Sequence, residues 1–230
     1  MVKEGYFFGL PVLALAGVGF LLDWYLGASL LVILALLVFS FFRDPDRVVP
    51  AEPGAVVAPA DGRVVVVTEE ENHGRPGQRV SIFLAIWNVH VNRAPASGTI
   101  TKVDYRPGKF FAAMRERASL ENEQNVFTLS TAAGEMMFKQ IAGLIARRVV
   151  SWKKPGAQVL RGERIGLVRF GSRMDVWLPK GAEILVKVGE IVKGGSSRIA
   201  RWPAKGELQP SSAMRGAEGE ANLMVTGKQS

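Results

Sequence analysis

Two long apolar runs at the amino terminus constrain the fold of this chain more than any other feature. They cover residues 6–22 and 26–42 and are separated by the short segment DWY at 23–25. Each run has about 17 residues, the lower limit for a helix that crosses a hydrocarbon core of ~30 Å, and aromatic residues suit an interfacial turn. The runs therefore predict a hydrophobic helical hairpin.

Basic residues flank this hairpin on both sides. Lys3 precedes the first run, and Arg43 and Arg47 follow the second. The positive-inside tendency places both flanks on the cytoplasmic side, so we predict a cell-membrane protein whose globular part lies on the cytoplasmic face. The rival interpretation is a signal peptide cleaved after residues 14–16 (ALA), which would export the domain. A second apolar run with no mature domain before it favours the hairpin.

From residue 48 onward the pattern is mainly that of short strands. β-Branched or alternating runs, separated by Pro-Gly, Asp-Gly and glycine-rich turns, occupy residues 56–57, 62–68, 79–86, 99–106, 126–130, 135–141, 146–151 and 167–178. Such spacing predicts a mainly β (α+β) fold with a compact sandwich or barrel-like core and one or two short helices.

One helix is predicted within residues 109–123, with Phe111, Met114, Ala118 and Leu120 on a buried face. Its polar end, ENEQN at 121–125, is typical of a loop.

The predicted organisation has three parts. Residues 1–47 form the membrane anchor, 48–205 the β-rich catalytic domain, and 206–230 a disordered tail rich in Gly, Ala, Ser and charge.

Composition excludes several classes of site. The chain has no cysteine, so disulfides, thiolate nucleophiles and cysteine zinc sites are excluded; with only two histidines a histidine-based zinc site is disfavoured, and we predict no metal. The net charge of +8 favours an anionic partner. Because no aromatic-basic platform motif is present, an acidic lipid surface is favoured over nucleic acid.

The bond between Gly171 and Ser172 can carry unusual chemistry. A serine hydroxyl held against the preceding carbonyl can shift the acyl group from nitrogen to oxygen, and the ester can eliminate to dehydroalanine and hydrolyse to a pyruvoyl group. A Gly-Ser pair alone is a common turn signal. This pair lies between two apolar segments that can fix its geometry, whereas a second pair, Gly195 and Ser196, lies in a run (VKGGSSRI) typical of a flexible loop. The first pair is the better candidate.

Asp61 and His90 are candidate polar groups. Asp61 stands in APADG, where an aspartate before glycine is most often a turn residue. His90 follows an apolar strand and suits proton transfer, although a hydrogen-bonded structural histidine gives the same pattern. His73 lies in a polar segment typical of a hairpin tip and receives no role.

Six motifs together resemble the short bacterial form of the phosphatidylserine decarboxylase family. They are FFRDP at 41–45, APADG at 58–62, NVHVNRAPASG at 88–98, ENEQN at 121–125, QIAGLIARR at 140–148 and GERIGLVRFGSR at 162–173. The resemblance implies that Ser172 becomes a covalent pyruvoyl group, leaving a β chain that ends at Gly171 and an α chain of residues 172–230. It further implies proton transfer by His90 and a self-cleavage role for Asp61.

The activity implied by the resemblance is decarboxylation of phosphatidylserine to phosphatidylethanolamine and carbon dioxide, with the substrate amine forming a Schiff base on the pyruvoyl group. The implied partners are phosphatidylserine, anionic membrane lipid attracted by Arg43, Arg47 and Arg106, and the two chains of one precursor. A homo-oligomer is left open.

The chain departs from the longer members of the family at Arg93. Those members resemble DYHRVH and carry a second histidine there, which serves self-cleavage with the aspartate. Either His90 serves both steps here, or cleavage relies on strain and backbone donors.

Two other classes of function fit the anchor and the strands. A lipoyl-like adaptor module would remain one intact chain, and a membrane-tethered peptidoglycan endopeptidase would need more histidines than this chain has.

Overall fold

The amino-terminal segment of the computed structural model is a helical hairpin, as predicted. The structure describes residues 1–72, 74–144, 148–168 and 171–202. Helix α1 (Lys3–Leu21) is long and apolar enough to cross a membrane, whereas α2 (Tyr25–Phe41) has 17 residues. Small residues are buried where the helices meet, and a β-carbon on Gly19 would lie 3.1 Å from Ala28 Cβ. Close packing of this kind is typical of helices in membranes.

The rest of the described chain is mainly β, which confirms the predicted fold class. The largest sheet is antiparallel and curled, with eight strands in the order β13-β2-β3-β11-β7-β6-β5-β9. In chain order these strands are β2 (Gly62–Asn72), β3 (Arg75–Leu84), β5 (Gly98–Arg106), β6 (Gln124–Thr131), β7 (Gly134–Ile141), β9 (Gln158–Val159), β11 (Ser172–Pro179) and β13 (Ile191–Val192).

Two three-stranded sheets complete the fold, in the orders β1-β14-β12 and β4-β10-β8. Their strands are β1 (Ala55–Val57), β4 (Val91–Arg93), β8 (Val149–Ser151), β10 (Arg164–Val168), β12 (Glu183–Ile184) and β14 (Arg198–Arg201). The main core lies against the large sheet and includes Ile82, Phe127, Phe138 and Met174, all with no exposed surface. Alternate residues of the long strands supply this core, as a period of two requires.

The hairpin packs onto the β domain through its two ends. Val2, Phe41 and Phe42 form an apolar cluster with residues of β4 and β10 and with the loop before β4. Just beyond α2, Asp44 is buried and pairs with Arg93 at 2.6 Å and with Arg164. The hairpin is therefore joined to the β domain by both apolar packing and buried charge.

The predicted helix over residues 109–123 is largely wrong. Only α3 (Glu116–Glu121) is helical, and Met114 and Leu120 are exposed rather than buried. The segment before α3 is held by the Asn122 side chain, whose amide group bonds to both the backbone NH and the carbonyl of Phe111. These bonds satisfy the backbone NH and carbonyl of Phe111 without a helix. Of the four residues predicted to form the buried helix face, only Ala118 is fully buried.

The predicted loop at 121–125 is also wrong. Asn122, Glu123, Gln124 and Asn125 are all buried, and β6 begins at Gln124. Polar partners compensate for the burial of Asn122, Glu123 and Asn125, whereas Gln124 Oε1 has no partner among the described residues. Asn125 donates to Gln140 Oε1 at 3.0 Å, for example.

Five predictions fall wholly or partly outside the described residues. They concern His73, the tail at 206–230, residues 203–205 of the predicted domain, residues 146–147 of the strand at 146–151, and residues 169–170 of the strand at 167–178. The described part of the strand at 146–151 contains β8, and that of the strand at 167–178 belongs to two separate strands, β10 and β11.

Candidate active site

Ser172 is the first residue of β11, between β3 and the end of β7. It pairs with Leu84 of β3, has no exposed surface, and its Oγ has no hydrogen-bond partner among the described residues. Gly171 before it has φ +64°, a left-handed conformation that glycine adopts without strain. The Gly-Ser bond is thus enclosed at a strand start, with a free buried hydroxyl next to a sharply turned backbone.

His90 and Ser172 lie in or next to strands that belong to the same two strand pairs. β3 pairs with β11 in the large sheet, and β4 pairs with β10 in a small one. The chain passes from β3 to β4 through residues 85–90 and from β10 to β11 through residues 169–171. His90 therefore ends one connection while Ser172 follows the other, and the two strands are joined by a bond from Val168 NH to the His90 carbonyl at 3.4 Å.

His90 is buried with one ring nitrogen bonded and the other free. Its Nδ1 lies 2.9 Å from the Asn88 carbonyl oxygen, and because a carbonyl only accepts, Nδ1 carries the proton. Nε2 is buried without a partner among the described residues. Burial, with a smaller contribution from the positive charge of Arg43, lowers the pKa of His90 to about 4, although the hydrogen bond to the Asn88 carbonyl acts in the opposite direction. At neutral pH the ring is uncharged and Nε2 is a proton acceptor.

The hairpin contributes to the surroundings of His90. The Phe41 ring at the end of α2 lies 4.2 Å from the imidazole, centroid to centroid. Arg43 donates to the Trp87 carbonyl at 2.6 Å, in the loop that leads to His90. The helical hairpin and the candidate site are therefore in direct contact.

Asp61 and Arg93 are held in ion pairs of their own. Arg47 donates to both Asp61 carboxylate oxygens at 2.8–2.9 Å, and the Gly194 NH donates to one of them at 2.8 Å. Neither His90 nor Ser172 is among the hydrogen-bond partners of Asp61. Arg93 donates to Asp44 and to the Gly162 carbonyl at 3.0 Å, so its guanidinium occupies a structural position. The self-cleavage role of Asp61 stays a prediction.

The second Gly-Ser pair differs in its setting. Gly195 also has a positive φ, +77°, but Ser196 lies in a turn, is only partly buried, and borders an open surface depression with Glu183 and Arg198. Ser172 is the enclosed member of the two, as the sequence predicted.

A buried charge cluster on the other face of β11 was missed by the sequence reasoning. Arg173 is fully buried and bonds to Asp175 at 2.6 Å and to Ser81 at 2.8 Å, while Arg79 bridges Asp175 and Glu116 of α3. Burial would raise the pKa of Asp175, but Arg173 and hydrogen bonds outweigh it and lower that pKa. The cluster fixes the residue that follows Ser172. The sequence signal that could have indicated this cluster is the alternation of Arg173 and Asp175 with apolar residues along one strand.

The three arginines proposed to attract lipid head groups differ in the structure. Arg47 is committed to Asp61, and Arg106 pairs with Asp104 at 3.0 Å. Arg43 bonds only to backbone carbonyls and to Ser40, and no carboxylate of the described residues pairs with it. It is the one of these three whose charge is not neutralised by a described neighbour.

The comparisons with known proteins identify the family of this chain. The sequence profile of the phosphatidylserine decarboxylase family matches residues 34–200, and the chain belongs to that family. It is accordingly a decarboxylase, a carbon–carbon lyase, rather than an adaptor or a peptidase. Across the residues described, no group of three or more His, Asp or Glu side chains is placed to hold a metal ion.

Individual relatives carry the name phosphatidylserine decarboxylase proenzyme. The protein from Magnetococcus marinus is 47% identical over 210 residues, covering 89% of this chain and 96% of its own. That from Solibacter usitatus is 49% identical over 204 residues, covering 87% and 96%. That from Symbiobacterium thermophilum is 45% identical over 207 residues, covering 88% and 96%.

Proposed function

We propose that this protein is a proenzyme that cuts itself between Gly171 and Ser172 and then decarboxylates phosphatidylserine to phosphatidylethanolamine and carbon dioxide. One observation carries the proposal. The Ser172 hydroxyl is fully buried and lacks a hydrogen-bond partner in the described structure, directly after a left-handed glycine. An orphaned buried hydroxyl costs about 1–3 kcal/mol, which a purely structural serine has no reason to retain.

The self-cleavage needs a nucleophile, a base and a displaceable amide. Ser172 Oγ attacks the Gly171 carbonyl carbon while its proton moves to a base, and the Ser172 nitrogen leaves as an amine, giving an ester. Removal of the Ser172 α-proton then expels the Gly171 carboxylate and leaves dehydroalanine. This tautomerises to an imine, and water releases ammonia to give the pyruvoyl end of the shorter chain. The buried position of Ser172 supports the fit of that group, which needs an enclosed site.

His90 is the favoured base for this step. Its Nδ1 donates a hydrogen bond to the Asn88 carbonyl, so Nε2 carries a free lone pair at neutral pH. Arg93, where longer members have a second histidine, is committed to Asp44 and to the Gly162 carbonyl. These contacts favour the alternative in which His90 serves both self-cleavage and the later proton transfer.

The pyruvoyl group supplies a ketone that takes up the substrate amine and accepts the electron pair released with carbon dioxide. His90 Nε2 accepts the proton that the substrate ammonium must lose and returns it to the α-carbon after carbon dioxide leaves. Arg43 supplies positive charge beside His90 for the anionic head group. Burial excludes bulk water from the reacting atoms.

The hairpin supports a lipid substrate. Phe41, the last residue of α2, packs against His90, so the site lies where the apolar helices meet the β domain. A two-chain lipid can then present its head group without leaving the bilayer. We infer that this junction lies at the cytoplasmic face, because Lys3 and Arg43 both flank the hairpin on the domain side.

Intact mass spectrometry of the purified full chain tests the cleavage. We expect two fragments, residues 1–171 and 172–230, the second beginning with pyruvoyl. Ser172→Ala should give one 25.0 kDa chain, and the matched variant Ser196→Ala should be cut like the natural sequence. An uncut natural protein would defeat the proposed self-cleavage, and a cut after Gly195 would move the site.

A second experiment tests the substrate and His90 together. Borohydride added with phosphatidylserine should attach the lipid to the first residue of the shorter fragment, and no such adduct should form with phosphatidylcholine, whose amine is quaternary. His90→Ala should slow the self-cut, and any cut fraction should release carbon dioxide more slowly. Normal cutting and turnover in this variant would remove His90 from both steps.

A further inference from the structure

Gly143 lies opposite the Gly171 carbonyl. Arg173 of β11 pairs with Ile141 of β7 in antiparallel register. Two residues before Arg173 and two residues after Ile141, the same register places Gly171 opposite Gly143. A β-carbon on Gly143 would overlap the Gly171 carbonyl oxygen and lie 2.9 Å from its carbon. The nearest other group is Ala113 Cβ at 3.3 Å.

Backbone conformation does not explain a glycine at 143. The left-handed glycines of the described chain include 171 and 195, but not 143. An alanine would therefore meet no strain from its own φ, and the conflict is with the opposing carbonyl. The absence of a side chain at Gly143 therefore provides space for the Gly171 carbonyl rather than backbone flexibility.

We propose that Gly143 is a positioning residue for self-cleavage, which leaves room for the carbonyl of the bond to be cut. The inference rests on the proposed cleavage at Gly171. During attack by Ser172 the carbonyl carbon becomes tetrahedral and its oxygen gains charge and shifts. A methyl group at 143 would occupy the place of that oxygen and turn the carbonyl away from the hydroxyl.

The fold around Gly171 can absorb such a displacement. Apart from its chain neighbours, no atom of the described residues lies within 4 Å of the β-carbon position of Gly171, so there is space on that side of the residue. Gly143→Ala should therefore move the carbonyl locally and leave the sheet intact. Misplacement of reacting atoms by about 1 Å can cost about 100-fold in rate, and we expect slowing of this order.

The test follows the cut over time in freshly made precursor by intact mass spectrometry. In the Gly143→Ala variant the uncut 25.0 kDa precursor should persist about 100-fold longer than in the natural sequence. Hydroxylamine, which cleaves esters, should not release fragments from it, because the block precedes the acyl shift. Cutting at the natural rate, or a hydroxylamine-sensitive ester, would overturn the proposal.

Gly98→Ala is the matched control. Its β-carbon would overlap the Ser130 carbonyl oxygen and lie 3.0 Å from that carbon, a conflict of the same kind between strands β5 and β6. This variant should be cut at the natural rate once folded. Equal slowing in both variants would show a general folding effect and refute a specific role for Gly143.

The double variant Gly143→Ala with Ala113→Gly separates the two contacts of the added methyl. It relieves the conflict at Ala113 but not that at the carbonyl, so the precursor should stay uncut; recovery of cutting would refute the proposal. The folding of the Gly143→Ala variant and of the double variant is checked by thermal unfolding in the Ser172→Ala background. Failure of both to fold there would also refute the proposal. If the natural precursor itself stays uncut, the proposed function fails rather than this inference alone.

Discussion

Acid should destabilise this protein through His90. Burial holds the pKa of His90 at about 4 in the folded protein, against 6.5 for the ordinary side chain. Between these values the unfolded chain binds a proton at this position and the folded chain does not, so unfolding becomes more favourable as the pH falls. The loss of unfolding free energy begins near pH 6.5 and reaches about 3 kcal/mol below pH 4.

The pKa itself can be read directly, because the chain has only two histidines, His73 and His90. In the uncleavable Ser172→Ala protein carrying His73→Gln, one imidazole remains for nitrogen-15 NMR titration. We expect a midpoint near pH 4 and, at neutral pH, a proton on Nδ1 and none on Nε2. A midpoint near 6.5 would refute the burial argument and the assignment of Nε2 as a base.

Unfolding measurements over the same pH range complete the test. Replacing His90 by Phe in the Ser172→Ala protein should remove about 3 kcal/mol of the change in unfolding free energy between pH 6.5 and 4. His73→Gln serves as the matched histidine control and should retain that change. Unaltered pH dependence in the His90→Phe protein would contradict the prediction.

Three further predictions concern other contacts. Asp61→Asn should lower the free energy of unfolding by about 2 kcal/mol in denaturant titration, because it weakens the pairing with Arg47; a folded variant that still cuts itself at the natural rate would refute the predicted self-cleavage role of Asp61. Asp44→Asn should cost about 3 kcal/mol in the same assay, because it weakens the pairing of two arginines, one of them buried; an unchanged midpoint would contradict this. Trp87, 75% exposed beside the hairpin, should be quenched by brominated lipid, so Trp87→Phe should reduce quenching while the buried Trp177→Phe should not.

The hairpin and the long strands could be predicted from the sequence because each has a strong local pattern. Residues 6–22 and 26–42 have no polar face, and the alternation in β2, β3 and β11 is what a half-buried strand requires. The strands extend further than predicted at the β2–β3 hairpin, where polar residues such as Glu69 and Asn72 continue the pairing.

The segments around α3 could not be predicted, because distant partners determine their structure. Asn122 and Asn125 are typical of loops by composition, and only the positions of Phe111 and Gln140 across the fold make them buried hydrogen-bonding residues. Tertiary contacts of this kind leave no periodic signal in the sequence.

The candidate site divides in the same way. Ser172 and His90 can be predicted from motifs, and they belong to segments that connect the same two pairs of strands. The clearance at Gly143 depends on which residue faces Gly171 across a strand pair, and no local pattern contains that information.

The position of β11 bears on how the molecule is made. This strand pairs with β3 on one side and with β7 on the other, and β13 and β14 pair with β2 and β1. A break at Gly171 would leave two polypeptides interleaved through the same sheets, each without a core of its own. Subunit association would then need no encounter in solution, and equal amounts of both pieces would follow from a single translation product. The sheet must assemble before the break, so a functional enzyme could not be expected from mixing the two separately made pieces.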